Sequence, residues 1–152
     1  MTATERRLTD GERLLAASVF GAALDPGAVR LRCAKWFMFQ PAWVTMAPDG
    51  DVWFHPNSGL WRDDFATEIL PYRALLVHEL THCWQVQAGR RLVWERRPFA
   101  RYGYALAAGK PFAAYGIEQQ AMIVEHAYRA RESGSRDAVL EGLLPFGRVA
   151  IA

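Results

Sequence analysis

Leu75-Leu76-Val77-His78-Glu79-Leu80-Thr81-His82-Cys83-Trp84-Gln85 is the stretch whose reading decides the rest of the chain. It carries the pattern His-Glu-x-x-His in a run of helical character, with Pro71 upstream and Gly89 downstream to suit the two helix ends. On an α-helix, residues four apart lie about 40° from one another around the axis, so His78 and His82 project from one face. Two imidazoles one turn apart grip a single Zn²⁺ from the same side and leave the rest of its tetrahedral shell for a third ligand and a water. Glu79, beside them, is placed to take a proton from that water and return it to a leaving amine. The plain alternative is an accidental match on a solvated helix. Against it, Leu76, Val77, Leu80 and Trp84 fall on the opposite side and give the helix an apolar back. A helix buried in this way requires partners for its His and Glu side chains.

Composition narrows the class. With 152 residues, 51% of them hydrophobic, the chain is expected to form one domain over residues 1–152 with a substantial core. The net charge is only +2, and the one basic cluster is Arg90, Arg91, Arg96 and Arg97. A nucleic-acid partner calls for a strong basic stripe with interleaved aromatics, so none is expected. Cys33 and Cys83 make neither a disulfide framework nor a Cys-x-x-Cys metal pattern and read as reduced thiols. Leu14 to Leu24 has the length of a signal-peptide core, but Glu5, Asp10 and Glu12 precede it. The segment is also too short to span a bilayer. The expectation is a protein without membrane segment or Sec signal, cytoplasmic as synthesised.

Outward from the central stretch, Thr9 or Asp10 caps a first helix that runs to about Ala23 and stops at Asp25-Pro26-Gly27. Val29 to Trp36 reads as a strand, and Ala47-Pro48-Asp49-Gly50 between Trp43–Met46 and Asp51–His55 signals a hairpin. A helix from Pro71 to Ala88 carries the His-Glu-x-x-His segment. A second helical stretch is expected from about Pro98 to Ala108, a third from Ile117 to about Arg131, and a short one from Ser135 to Leu144.

The third ligand must come from further along the chain. The metzincin spacing fails, because its Gly and third His positions hold Gln85 and Ala88. Glu118 sits in the first turn of the helix from Ile117, far enough past His82 for one intervening helix and a return. Ala121, one turn on, leaves room for a second helix to approach. Glu125 lies on the same face two turns later, with His126 about 80° away from Glu118. Glu125 also has a plain role, pairing with Arg129, or it orients a ligand imidazole from outside the metal shell. The residues leave Glu118, Glu125 and His126 as candidates, with Glu118 first. His55 reads as a strand-end histidine. Of Tyr102, Tyr104 and Tyr115, all natural core aromatics, Tyr115 is favoured as a donor to a developing oxyanion because it is close to Glu118 in sequence.

Ala74 to Gln85 resembles the metal-binding block of the metallopeptidase-like core domain of extracellular contractile injection systems. It is closer still to the short bacterial Vgr-related proteins, labelled after the spike of type VI secretion. Asp25-Pro26-Gly27-Ala28-Val29-Arg30, Asp51-Val52-Trp53-Phe54 and Tyr115-Gly116-Ile117-Glu118-Gln119-Gln120-Ala121 resemble further blocks of that family, so the likeness covers most of the chain. It implies a gluzincin-type site, with His78, His82 and Glu118 on Zn²⁺ and Glu79 catalytic. One departure matters: thermolysin-like enzymes carry an acidic residue four positions after the ligand Glu, and here that residue is Met122. The support of the histidines therefore differs or comes from elsewhere.

The resulting expectation is a small α+β zincin-like metallopeptidase domain, an antiparallel sheet packed on two long helices that carry the metal ligands. The strand from Asp51 to His55 is expected along the cleft, where an extended peptide can pair with its edge. The expected reaction is hydrolysis of a peptide or amide bond in a peptide or protein substrate, with secretion-system or phage-tail-like components as further partners and export by a contractile secretion system. The alternative is a zinc-stabilised accessory or scaffold module of such a particle, with little turnover.

Overall fold

The computed structural model describes residues 4–95 and 102–147. In chain order these form β1 (Thr4–Arg7), α1 (Asp10–Phe20), β2 (Arg30–Cys33), β3 (Val52–Phe54), α2 (Leu70–Gln87), α3 (Leu92–Glu95), α4 (Ile117–Glu132) and α5 (Ala138–Leu143). The fold is a small α+β arrangement of a three-stranded sheet and several helices.

The first helix begins where the sequence says it should. Thr9 caps α1, and a reciprocal capping box forms: Glu12 N–H donates to Thr9 Oγ1 at 3.1 Å and Thr9 N–H donates to Glu12 Oε2 at 2.9 Å. Glu12 does more than cap. It is fully buried, takes both guanidinium nitrogens of Arg6 at 2.8 Å, and accepts the Phe65 N–H at 2.8 Å. One carboxylate thus ties β1, α1 and the short turn Phe65–Thr67 that leads into α2. Phe65 is carried into the core by that bond and stacks on Phe54 with ring centroids 5.2 Å apart.

The sheet has order β1-β2-β3 and is mixed. β1 and β2 run antiparallel, with Arg6 opposite Leu31, and β2 and β3 run parallel, with Leu31 beside Val52 and Cys33 beside Phe54. The expected antiparallel sheet is corrected by this pairing. Its hairpin shrinks to a single antiparallel bridge, Met46 with Trp53, made by N–H···O bonds of 3.1 and 2.7 Å. The reason is local. Buried Gln40 accepts the Trp36 N–H through Oε1 and donates through Nε2 to Val44 O, so a side chain takes the bonds that a longer ladder would use. Pro41 and Pro48 bracket the arm and offer no N–H. β1 has no apolar alternation to betray it. Glu5 pairs with both Arg30 and Arg32, and Arg32 pairs in turn with Asp51 at 2.9 Å, which joins strands whose faces are charged.

α2 is the central helix. Leu76, Val77, Leu80 and Cys83 are fully buried on one side, against a core that includes Leu31, Val52 and Phe54 of the sheet. His78, Glu79 and His82 are buried on the other side. It ends at Gly89, whose φ of 93° is open to glycine and lets its N–H reach Val86 O at 2.9 Å.

The helix expected from about Pro98 to Ala108 falls partly outside the described residues, and residues 102–106 are not helical. Gly103 weakens the helix there, and its carbonyl accepts from Gln119 Nε2 at 2.8 Å while Ala107 N–H donates to the Tyr115 hydroxyl at 3.2 Å. The backbone is bonded to residues at the start of α4 instead of to itself. Among the described residues no helix is long and apolar enough to cross a membrane.

Removing the Glu12 carboxylate leaves the Arg6 guanidinium and the Phe65 N–H facing a void. Glu12→Ala is expected to lower unfolding free energy by about 3 kcal/mol, read from urea denaturation. A loss below about 1 kcal/mol, the range of an exposed ion pair, would contradict the role assigned to this residue.

Candidate metal centre

α2 delivers His78 and His82 one turn apart, with ring centroids 5.1 Å apart. α4 packs against α2 across Ala121, which is fully buried, and the small side chain admits the close approach. That approach brings the first turn of α4 to the two imidazoles. His82 Nε2 lies 3.1 Å and His78 Nε2 3.4 Å from the same oxygen, Glu118 Oε2. One donor atom from each of the three residues falls within 4.8 Å of the others, and all three side chains are buried. The N-terminal position of Glu118 also puts a carboxylate at the positive end of the α4 dipole.

The other candidates are held elsewhere. Glu125 Oε1 lies 3.3 Å from His78 Nδ1, the nitrogen that faces away from Glu118, and Glu125 Oε2 accepts from Arg129 Nε at 2.8 Å. Glu125 therefore backs a histidine and pairs with its helical neighbour at once. His126 Nδ1 is bonded to the Tyr104 hydroxyl at 2.7 Å. His55 accepts the Asn57 N–H at 3.0 Å and takes no part. Cys83 is fully buried without a disulfide, and burial pushes its thiol well up. Arg96 and Arg97 of the basic cluster lie outside the described residues.

A cavity of about 200 Å³ opens over the site, and His78, Glu79, His82 and Glu118 all line it. Its outer walls include Trp36, Met46, Leu92 and Tyr102. Two expectations change here. The extended segment along the cleft is Thr45–Pro48, bridged to β3 through Met46, and not the strand Asp51–His55 itself. Tyr115 is buried away from the cleft with its hydroxyl accepting from Ala107, whereas Tyr102 lines the wall with its ring stacked near His78 at 6.4 Å. Proximity along the chain did not translate into proximity at the site, because Tyr115 precedes the helix that carries Glu118 and faces the loop before it.

The residues fit a metal ion. Two imidazole nitrogens and a carboxylate oxygen converge on one buried point, which is the donor set and number of an open zinc-type site. The electrostatics agree. Burial alone would lower the His78 pKa, but bonding to Glu118 and Glu125 and the field of Glu79 override it and push His78 up to about 10. Burial alone would raise Glu118, yet His78 and His82 hold its carboxyl well below the usual range. The cluster attracts positive charge to its centre, which a proton on His78 or a metal ion would supply.

In the sequence Gln85 breaks the metzincin spacing and closes the block shared with the Vgr-related proteins, with no bond of its own assigned. In the structure its Oε1 lies 2.8 Å from His82 Nδ1. The available signal was its place one turn after His82, within reach of that ring on the same helix.

These shifts set a pH dependence. His78, raised from 6.5 to about 10, adds stability that is full below pH 6.5 and lost as pH rises through about 10. Glu118, depressed from 4.5, adds stability present above pH 4.5 and lost as pH falls below it. With a chelator, the urea midpoint is expected to be highest between pH 4.5 and 6.5 and to fall toward pH 10. With zinc the fall is expected to disappear, since a metal needs the neutral imidazole. A chelated midpoint that stays flat over the same range would refute this account of the cluster.

No protein-family model matches the chain. It is 37% identical to the type VI secretion system spike protein VgrG2b of Pseudomonas aeruginosa, over 78% of this chain and 12% of that protein. The chain thus spans about an eighth of the length of the curated relative it matches. Among solved structures, the effector domain of Pseudomonas aeruginosa VgrG2b superposes with a TM-score of 0.83 at 34% identity, covering 91% of this chain and 83% of that one.

Proposed function

This chain belongs to the family of the VgrG2b effector domain, and from that premise we propose that it is a zincin-like peptidase of a type VI or related contractile secretion system. The observation that carries the proposal is that Glu79 and the three converging donors of His78, His82 and Glu118 line one cleft. Its reaction is hydrolysis of a peptide or amide bond in a peptide or protein substrate.

His78, His82 and Glu118 are the residues that would hold zinc. Bound there, zinc would supply a Lewis acid and lower the pKa of water toward neutrality. Glu79, buried to 5% exposure and adjacent to His78 in sequence, accepts the proton of the attacking water and passes it to the departing amine. Tyr102, on the cleft wall, takes the role of hydroxyl donor to the oxyanion that the sequence assigned to Tyr115. The Thr45–Pro48 segment offers an extended edge beside the cleft for a substrate strand.

Glu79→Gln is expected to keep about one zinc per chain and to lose peptide hydrolysis by at least about 10²-fold, measured on a pool of unstructured peptides. Glu118→Ala is expected to lose the metal as well. Hydrolysis by Glu79→Gln at the wild-type rate would sink the mechanism. Zinc binding with no hydrolysis in the wild-type chain would favour a zinc-stabilised scaffold module.

A further inference from the structure

Gln85 and Gln120 are among the most completely buried polar side chains of the protein, at 0% and 1% exposure. A buried amide is costly unless both its N–H₂ and its oxygen are partnered, and the partners available here run in one direction. At the inner end, Gln120 Nε2 faces the backbone carbonyls of Tyr115 at 2.9 Å and Phe112 at 3.4 Å. Carbonyls only accept, so the Gln120 nitrogen must be on that side and its Oε1 on the other. Gln120 Oε1 accepts from Gln85 Nε2 at 2.9 Å, and the same nitrogen donates to Ile117 O at 3.0 Å. Gln85 Oε1 is thereby turned toward His82 Nδ1, 2.8 Å away, where it can only accept. The proton of this hydrogen bond belongs to His82 Nδ1. His82 Nε2, 3.1 Å from Glu118 Oε2, points to the centre, where a proton on it meets the carboxylate in the metal-free protein and a metal ion would take that proton's place.

We propose that Gln85 and Gln120 form an amide relay, anchored on backbone carbonyls of the segment before α4, that keeps the proton on His82 Nδ1 and so presents Nε2 as a ready metal donor. The inference rests on the metal-centre reading for its purpose, but the direction of the relay follows from the hydrogen bonds alone. Ile117, whose carbonyl anchors the relay, is the residue before Glu118, so the same bonds hold the third donor in step with His82. His78 is supported differently, by the carboxylate of Glu125. The two histidines therefore have unequal backing: a neutral relay that fixes a proton, and an anion that attracts one. Gln85 and Gln120 are positioning residues and touch neither substrate nor metal.

The test is ¹⁵N-histidine NMR on the metal-free full chain near neutral pH, with His82 assigned by loss of its signals in His82→Gln. Wild type is expected to carry the proton on His82 Nδ1. A bare His82 Nδ1 in wild type would overturn the proposal without any variant. Gln85→Leu is expected to show mixed His82 tautomers and zinc affinity weaker by about 10–100-fold in chelator competition. Gln120→Leu, which leaves Gln85 bonded to Ile117 O, is expected to fall in between. Gln85→Glu keeps the acceptor and is expected to restore the tautomer and most of the zinc affinity even where the urea midpoint drops, which separates positioning from stability. An unchanged tautomer and zinc affinity in Gln85→Leu would refute the relay. Failure of the wild-type chain to bind zinc would instead strike the metal reading and leave the tautomer result standing.

Discussion

Two imidazoles and two carboxylates are buried together where α2 crosses α4, and the rest of the structure answers the cost of putting them there. An ionised carboxylate without a partner in such a place would be strongly destabilising. Glu118 is answered by both histidines, His78 in turn by Glu125, and His82 by Gln85. The same contacts that make burial tolerable fix the direction of each nitrogen. A chain that needed these groups only for stability would gain by replacing them with packed apolar side chains, since buried ion pairs are weak stabilisers. Their retention at the base of a cleft is what an ion-binding role would require.

The scaffold explains why the donors stay in place. α2 is held on its apolar side by Leu76, Val77 and Leu80 against the sheet, and its approach is set by the Phe65 turn that Glu12 captures. α4 is held at its start by Gln119 and Gln120, whose side chains bond the loop before it. Donors mounted on two packed helices, with rotamers locked by further bonds, are held more tightly than donors on loops. The cleft wall is different in kind. It draws on the irregular segment from Trp36 to Pro48, where Phe39 and Trp43 stand about four-fifths exposed, so this wall can vary without disturbing the centre.

Much of this was legible because it is local. The capping box at Thr9 and Glu12, the helix over residues 70–87 and its stop at Gly89 each depend on a few neighbouring residues. Helical periodicity and a small residue at 121 put Glu118 first while leaving Glu125 and His126 open, and it is Glu118 that lies beside both imidazoles in the structure. What escaped the sequence is non-local or carried by side chains acting as backbone. β1 has charged faces, so no alternation marks it. The hairpin over residues 43–55 was displaced by Gln40, whose amide takes ladder bonds. The non-helical course of residues 102–106 depends on Gln119 reaching Gly103. The roles of Gln85 and Gln120 appear only once α4 is docked, since neither amide has its partners until then.

The kinship with the VgrG2b effector domain gives the chain its family, and the buried triad at the floor of its cleft gives that kinship a chemistry to examine. The central claim is that a metal ion belongs between His78, His82 and Glu118. The most direct measurement is an anomalous difference map at the zinc edge from crystals grown with zinc. The account predicts one peak about 2.0–2.2 Å from His78 Nε2, His82 Nε2 and an oxygen of Glu118. A map without a peak between these residues, or with a peak held instead by Glu125 or His126, would contradict it.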